Sequence, residues 1–212
     1  MTPGRKAVRA SGEETRARIV EAAVATLRTA GFAGASARAI AAAGGFNQAL
    51  IFYHFGSLDD LLLAALDATA AARLARYEAA VAKAGSLPEL LKVAGRLYDE
   101  DLASGHITVV TELIGGSLTR PALRPEIRRR MQPWLDFTEA ALGRTTGGGL
   151  LYRIVPGRDV AYGVIGLYLG LQMLTHLDGR PDRARALFAA GSRIGARLDT
   201  VAFWRRLTPG RS

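Results

Sequence analysis

Apolar residues recur at a spacing of three and four along most of this 212-residue chain, which predicts a succession of helices. The first predicted helix begins at Glu13 and ends before Gly31. A short second helix follows Ser36, a residue type that caps helix N-termini, and ends at Gly44 and Gly45. No stretch predicts a strand convincingly, so we expect an all-α protein.

The segment GGFNQALIFYHFGS, residues 44–57, places a glycine turn directly before an aromatic helix that Asn47 can cap. Two short helices joined by a few residues, with glycine in the turn, form the helix-turn-helix pattern. In that pattern the second helix enters the DNA major groove while the first crosses the backbone. Ile51 and Phe55 lie four residues apart and are expected to pack this helix on its neighbours.

The remaining side chains of this third helix have the chemistry of DNA contact. The Gln48 amide donates and accepts at once, which matches the major-groove edge of adenine. Ala49 and Phe52 offer apolar contact with thymine methyl groups. Tyr53 and His54 lie further along and are expected to bind phosphate oxygens. The candidate DNA-binding residues of the helix are Asn47, Gln48, Ala49, Phe52, Tyr53 and His54.

The rest of the chain also predicts helices. Ser57 and Asp60 form a capping box for a long, alanine-rich fourth helix that extends to Gly85. The glycine-rich stretch 143–150 lacks a following Gly-Lys-Ser/Thr and is expected to be a loop that binds no phosphate. Further helices are predicted at 86–105, 107–118, 125–142 with Pro133 inside, 159–177 and 182–198, with a short one at 200–207.

Charge and cysteine content narrow the class of protein. The chain carries 28 Lys and Arg against 19 Asp and Glu, and this net charge of +9 lowers the cost of approaching a polyanion. Residues 1–12 include Arg5, Lys6 and Arg9 and are expected to form a flexible basic arm. The absence of cysteine excludes disulfides and thiolate sites and fits a cytoplasmic location.

The stretch from Thr15 to Leu61 resembles the DNA-binding domain of the TetR family of transcriptional regulators. Two positions depart from the family pattern: Leu58 stands where a lysine is usual, and Ala49 stands where many members have glycine. The resemblance implies that Arg38, on the second helix, faces DNA. The matching features are Ala30-Gly31-Phe32, Ser36 before Ile40-Ala41, Gly45, Tyr53-His54-Phe55, Ser57 and Leu61.

The resemblance implies a helix-turn-helix DNA-binding domain at 13–56 and a helical effector-binding and dimerisation domain at 57–212. It also implies a function: a cytoplasmic homodimer that represses transcription from a palindromic operator in double-stranded DNA and is released by a small molecule. The alternatives are an activator, a regulator without ligand, or a helical partner-binding or membrane-surface protein without specific DNA readout.

A second set of residues predicts the effector site. Aromatic rings and flexible sulfur side chains with a few polar atoms are typical of sites for largely apolar small molecules. Any one of these residues is also compatible with the ordinary hydrophobic core of a helical domain. Glu112 stands out because a carboxylate in an apolar stretch needs a partner, either an arginine or a cationic ligand. The candidates are Tyr98, Thr111, Glu112, Met131, Trp134, Phe137, Tyr168, Gln172, Met173 and His176.

The segment from Val160 to Leu177 contains no charged residue and approaches membrane-spanning length. Polar side chains interrupt it, so we expect a buried interface helix and no membrane span. Together with the last long helix it predicts a four-helix interface between two copies of the chain. Its small residues are Gly163, Gly166 and Gly170, and its apolar ones are Val164, Leu167, Leu171 and Leu174.

Catalytic and metal-binding patterns do not emerge. The histidines His54, His106 and His176 are scattered, and the spacing gives no support for a metal site that combines the latter two with Glu112. We therefore expect neither an enzyme nor a cofactor. The arginine-rich run at 124–133 is expected to be a solvated helix face or a salt-bridge surface of the second domain, and not a second nucleic-acid patch.

Overall fold

The structure is a computed structural model that describes residues 3–146 and 154–207. Every element within these residues is helical, which confirms the all-α prediction. Residues 147–150 of the predicted glycine-rich loop lie outside the described residues. The helices are α1 (Pro3–Gly34), α2 (Ala37–Gly44), α3 (Ala49–Phe55), α4 (Leu58–Val81), α5 (Leu87–Ser104), α6 (His106–Thr119), α7 (Arg124–Thr146), α8 (Gly157–Asp178) and α9 (Pro181–Leu207), with a 3-10 turn at Pro121–Leu123.

The predicted caps begin and end the short helices. Ser36 Oγ accepts a hydrogen bond from the Ala39 backbone N–H at 3.2 Å at the start of α2. Gly45 ends α2 with a φ of 64°, a left-handed conformation that disfavours any side chain. Asn47 Oδ1 then accepts from the Ala49 backbone N–H at 2.9 Å, so α3 begins at Ala49.

Contacts divide the chain into two units, Met1–Arg73 with Gly105–Met131, and Leu74–Ser104 with Gln132–Ser212. The first unit holds the helix-turn-helix together with α6, because α6 packs on α1. Both α4 and α7 contribute residues to each unit. The contact boundaries therefore differ from the predicted division at residue 57, which stays a prediction about function.

The core of the first unit follows the predicted helical spacing. Ile19, Ala23 and Leu27 on α1 are fully buried. In α3, only Ile51 is buried. Because a seven-residue helix is too short to be stable in isolation, the burial of Ile51 holds α3 in place, as predicted.

The core of the second unit lies along α5. Leu90, Val93 and Leu97 are buried at helical spacing and form a cluster with side chains from α4 and α7. On α9, the Ser192 hydroxyl donates to the Pro88 carbonyl at 3.1 Å. The buried members of the cluster are Tyr77, Val81, Ala84, Leu90, Val93, Leu97, Ala141 and Leu142.

The helices at the two chain ends extend further than predicted. Helix α1 begins at Pro3, where the expected flexible arm lies, and proline is favourable at a first helical position because its missing N–H needs no partner there. Helix α9 continues to Leu207 without the predicted break after Leu198, since no glycine or proline lies between these residues.

The arginine-rich run forms a salt-bridge surface, one of the two predicted alternatives, and its residues up to Met131 belong to the first unit. Arg130 contacts Asp67 at 2.8 Å and Glu126 at 2.6 Å. Hydrogen bonds donated by Arg129, the larger effect, and by Arg130 lower the pKa of Glu126. Arg124 Nε donates to the Ser117 carbonyl at 3.0 Å near the end of α6.

His106 begins α6 and is buried in the first unit. Burial, followed by the positive charge of Arg73, lowers the pKa of His106 from 6.5 to about 4. The folded protein therefore holds this imidazole neutral, whereas the unfolded chain binds its proton at a higher pH. Protonation consequently favours the unfolded state.

We expect acid to destabilise the protein through His106. The unfolding free energy should be highest above pH 6.5 and fall as the pH decreases toward 4, with a loss of roughly 2 kcal/mol at pH 5 from this group. Urea denaturation between pH 7.5 and 5 measures the loss. The variant His106→Gln should flatten the curve over this range, and the exposed-site variant His176→Gln should not. If the unfolding free energy of His106→Gln falls with decreasing pH as steeply as that of the parent, the loss does not come from His106.

Candidate functional site

Helix α3 presents an exposed surface in the first unit. Tyr53 is 82% exposed and Phe52 is 49% exposed, although both are large aromatic residues. Gln48 and Ala49 are also exposed at the N-terminal end of the helix. Exposed aromatic side chains beside a polar amide are unusual on a surface without a partner, so this face is a candidate contact surface.

The other DNA-binding candidates lie around this face. Asn47 is exposed, but its side-chain oxygen is already bonded to the Ala49 N–H at 2.9 Å. The ring of His54 lies 5.0 Å from the ring of Tyr53 and perpendicular to it. Arg38 is exposed on α2 in the same unit. All seven predicted DNA-binding residues therefore belong to the helix-turn-helix, and none is fully buried.

The C-terminal end of α3 is held by a contact that the sequence analysis did not predict. The guanidinium of Arg16 on α1 lies 4.7 Å from the centre of the Phe55 ring, a cation–π distance. Phe55 is half-buried, and Gly56 follows it with a φ of 79°. Arg16 therefore helps to orient α3, and spacing alone gave no signal for a contact between residues so far apart.

The predicted effector residues of the second unit meet at a group of aromatic rings. The ring of Tyr77 lies 5.2 Å from Trp134 and 6.0 Å from Phe137, both edge to face. The ring of Tyr98 lies 5.7 Å from that of Tyr168. Tyr77 was not among the predicted residues, although it occupies a buried position at helical spacing before Val81.

A buried carboxylate lies at the centre of this group. Asp101 is 1% exposed, and its Oδ2 accepts hydrogen bonds from the hydroxyls of both Tyr77 and Tyr168, the latter at 2.7 Å. The two hydroxyl oxygens lie 2.8 Å apart. Asp101 is not among the predicted site residues. Its position four residues after Leu97 nevertheless places it on the buried face of α5, which the helical spacing could have indicated.

Tyr98 joins α5 to α8 within the second unit. Its hydroxyl donates to the Leu171 carbonyl at 3.0 Å, so the Thr175 hydroxyl, 2.6 Å away, donates to Tyr98. Gln172 Nε2 donates to the Tyr98 carbonyl at 3.4 Å. Burial raises the pKa of Tyr98, which keeps this phenol a neutral donor.

Five of the ten effector candidates do not join this group. Thr111, Glu112 and Met131 lie in the first unit. The Thr111 hydroxyl donates to its own helix, and the partner of Glu112 is the Phe32 backbone N–H, at 2.7 Å, in place of the arginine or cationic ligand that we expected. Met173 and His176 are exposed on α8.

Helix α8 has a largely exposed apolar face. Leu167 is 62% exposed and Leu177 is 82% exposed. A Cβ atom added at Gly163, Gly166 or Gly170 would meet no atom of this chain within 4 Å. By length and composition α8 is able to cross a membrane, but a single such helix is weak evidence. The other large exposed apolar residues of α8, and of α9 up to Arg197, are Tyr162, Val164, Met173, Leu174, Leu187 and Ile194.

No group of three potential metal ligands occurs among residues 3–146 and 154–207. Of the three residues considered for a metal site, His106 is buried, Glu112 is bonded to Phe32, and His176 is exposed on α8.

The comparison with family models agrees with the resemblance. Residues 19–65 match the family described as bacterial regulatory proteins, tetR family. The match covers α2 and α3, most of the buried positions of α1, and the start of α4. No curated protein matches the chain significantly.

Solved structures share the fold over both units. A TetR-family member from Streptomyces coelicolor A3 is 29% identical with a TM-score of 0.62, covering 84% of this chain and 98% of that one. The multidrug binding protein EbrR in complex with imidazole is 26% identical with a TM-score of 0.58, covering 83% and 93%. FadR from Bacillus subtilis in complex with stearoyl-CoA is 17% identical with a TM-score of 0.69, covering 84% and 95%, a likeness of fold alone.

The helix-turn-helix and the helices that follow it thus have the arrangement seen in solved bacterial transcriptional regulators. The chain has the fold of a TetR-family transcriptional regulator, and residues 19–65 are its tetR-type helix-turn-helix domain.

Proposed function

We propose that the protein is a cytoplasmic repressor that binds a palindromic operator as a homodimer and is released when a small molecule binds the second unit. The observation that carries the proposal is the exposed face of α3, where Phe52 and Tyr53 stand in solvent beside Gln48. Packing these rings against a DNA surface removes them from water, which is favourable. The side chains match the polar and apolar edges of the major groove.

Within this face the residues have separate tasks. Gln48, at the N-terminal end of α3, reads a base edge, because recognition helices contact bases with their first residues. Tyr53 and Arg38 bind phosphate oxygens, which set the register without reading sequence. Asn47 contributes less to base reading, since its oxygen is bonded to the Ala49 N–H.

The exposed face of α8 supports the homodimer. Apolar side chains at positions 167, 174 and 177 share one side of the helix with Gly163, Gly166 and Gly170. A second copy of this helix can approach closely at the glycines and cover the apolar side chains. Two copies related by a two-fold axis then present two α3 helices to the two halves of a palindrome.

A membrane span is the competing explanation for α8, and the polar contacts of the helix argue against it. Gln172 and Thr175 are buried against α5 by their bonds with Tyr98, so one side of α8 already packs on protein. The remaining exposed side matches an interface between copies. We therefore propose a location in the cytoplasm.

The aromatic group around Asp101 supports an effector site in the second unit. Trp134, Phe137 and Tyr168 offer apolar area beside a few polar atoms, which suits a largely apolar small molecule. EbrR, which shares this fold, is a multidrug binding protein. An effector weakens DNA binding if it binds more tightly to a conformation in which the two α3 helices are misplaced for the operator. The loss of DNA-binding free energy equals the difference in effector-binding free energy between that conformation and the DNA-binding one. We propose no catalytic step.

We expect Gln48 and Tyr53 to affect DNA binding in different ways. Gln48→Ala should relax the preference at one base pair in each half-site, at a cost of roughly 1–3 kcal/mol there. Tyr53→Phe should weaken all sequences about equally, because it removes a phosphate contact. Selection from a random duplex library, followed by anisotropy titrations at several salt concentrations, measures both effects. An unchanged sequence preference in Gln48→Ala would contradict its role as a base reader.

We expect Gly166→Leu to separate the homodimer, because the leucine side chain occupies the space that the second helix needs. Sedimentation velocity should show a monomer, and operator affinity should fall by roughly two orders of magnitude or more as one half-site contact is lost. The matched control is Gly143→Leu on α7, since Gly143 also has open space around its added Cβ. If Gly166→Leu remains dimeric with parental affinity, the interface lies elsewhere.

We expect Trp134 to contact the effector. In a Trp204→Phe background, where Trp134 is the remaining tryptophan, its fluorescence should change with each compound of a small-molecule library that also releases the operator. Trp134→Ala should reduce release by such compounds roughly tenfold or more while operator binding without them stays near normal. A variant that folds and is released like the parent would exclude Trp134 from the effector site.

A further inference from the structure

The first unit contains a contact that the base-reading and effector-binding surfaces do not use. Glu112 Oε2 on α6 accepts a hydrogen bond from the Phe32 backbone N–H at 2.7 Å. Phe32 follows Gly31, whose φ of 67° and ψ of −177° interrupt the helical path of α1. The bond therefore lies where the chain leaves α1 and turns toward α2.

Two glycines show how closely α6 approaches this turn. A Cβ atom on Gly31 would lie 2.9 Å from Glu112 Oε2, and its positive φ already disfavours a side chain. A Cβ atom on Gly116 would lie 2.3 Å from the Phe32 ring. Because Gly116 follows Glu112 by four residues, both positions lie on the same side of α6.

Arg120 extends the contact to the helix that follows α3. Its guanidinium lies 5.1 Å from the centre of the Phe32 ring, within cation–π range. The same guanidinium contacts Asp59 Oδ1 at 2.6 Å, in the first turn of α4. The end of α6 thus contacts the chain both before α2 and just after α3.

We propose that Glu112, Gly116 and Arg120 form a positioning surface that holds the helix-turn-helix in its DNA-binding orientation. Glu112 is its central positioning residue, because a charged acceptor makes a strong hydrogen bond and Phe32 is its donor. None of the three residues is among those proposed to contact DNA. They act through the turn at Gly31 and through the start of α4. The inference rests on the proposed DNA-binding function.

The net charge makes the expected effect of a Glu112 variant distinctive. Removing a carboxylate from a protein of net charge +9 raises its positive charge and by itself favours binding to a polyanion. A positioning role has the opposite effect on specific binding, since a displaced α3 cannot meet its bases. A loss of specific affinity in Glu112→Ala therefore separates positioning from bulk electrostatics.

The first experiment compares carboxylate variants. The probes are a duplex enriched from a random library by the parent protein and an unselected duplex of equal length. Glu112→Ala should weaken binding to the enriched duplex roughly tenfold or more and leave binding to the unselected duplex unchanged or slightly stronger. Glu112→Gln retains an acceptor oxygen and should lose less. Glu78→Ala removes the same charge from an exposed position on α4 and should match the parent on the enriched duplex.

The second experiment leaves Glu112 intact and disturbs the same surface sterically. Gly116→Ala places a methyl group against the Phe32 ring and should reproduce the loss of specific affinity. Gly115→Ala is the matched control, because a Cβ atom at Gly115 meets nothing within 4 Å. This pair tests the proposal even if Glu112→Ala fails to fold, which far-ultraviolet circular dichroism reveals.

Amide hydrogen exchange connects the binding results to the bond itself. Exchange at the Phe32 N–H should accelerate in Glu112→Ala and change little in Glu78→Ala. Parental affinity for the enriched duplex in both Glu112→Ala and Gly116→Ala would overturn the proposal, and so would unchanged exchange at Phe32 in Glu112→Ala. A parent protein that enriches no sequence would instead contradict the proposed DNA-binding function, and this inference would fail with it.

Discussion

The short α3 helix depends on contacts outside itself. Seven residues close too few backbone hydrogen bonds to overcome the entropy of helix formation, so α3 persists because Ile51 is fully buried. One inward side chain leaves the neighbouring positions free to face solvent, which is why Phe52 and Tyr53 are so exposed. The bond from the Ala49 N–H to Asn47 sets the start of α3, and Gly56, with a φ of 79°, ends it.

Each unit contains a carboxylate whose hydrogen bonds hold its surroundings in place, partly buried in the first unit and fully buried in the second. In the first, Glu112 satisfies a backbone N–H at the turn after α1, so a carboxylate replaces a helical partner. In the second, Asp101 accepts hydrogen bonds from the hydroxyls of Tyr77 and Tyr168, and the ring of Tyr77 packs edge to face on Trp134. Carboxylates that lose contact with water require such partners, and the partners in turn set the orientation of the side chains around them.

The local sequence predicted the helix boundaries well at residues whose type has a specific role there, such as a capping serine or a glycine in a left-handed turn. Ser36 and Ser57 cap the helices that were assigned to them, and Gly45 closes α2. The start of α1 was less predictable: a stretch with arm-like composition is helical from Pro3, because composition records average solubility and not the hydrogen bonds of a given segment. Only five of the ten candidate effector residues lie together, since composition selects suitable side chains but not which of them meet.

By itself the sequence determined the helical class, the helix-turn-helix and the side of α3 that faces solvent, because these follow from spacing, caps and glycine conformation within a few residues. Only the tertiary structure decided that Glu112 bonds Phe32, that Arg16 covers Phe55, and that Asp101 lies among tyrosines. These contacts join residues far apart in the chain. Their partners are chosen by packing between helices, which no local pattern encodes.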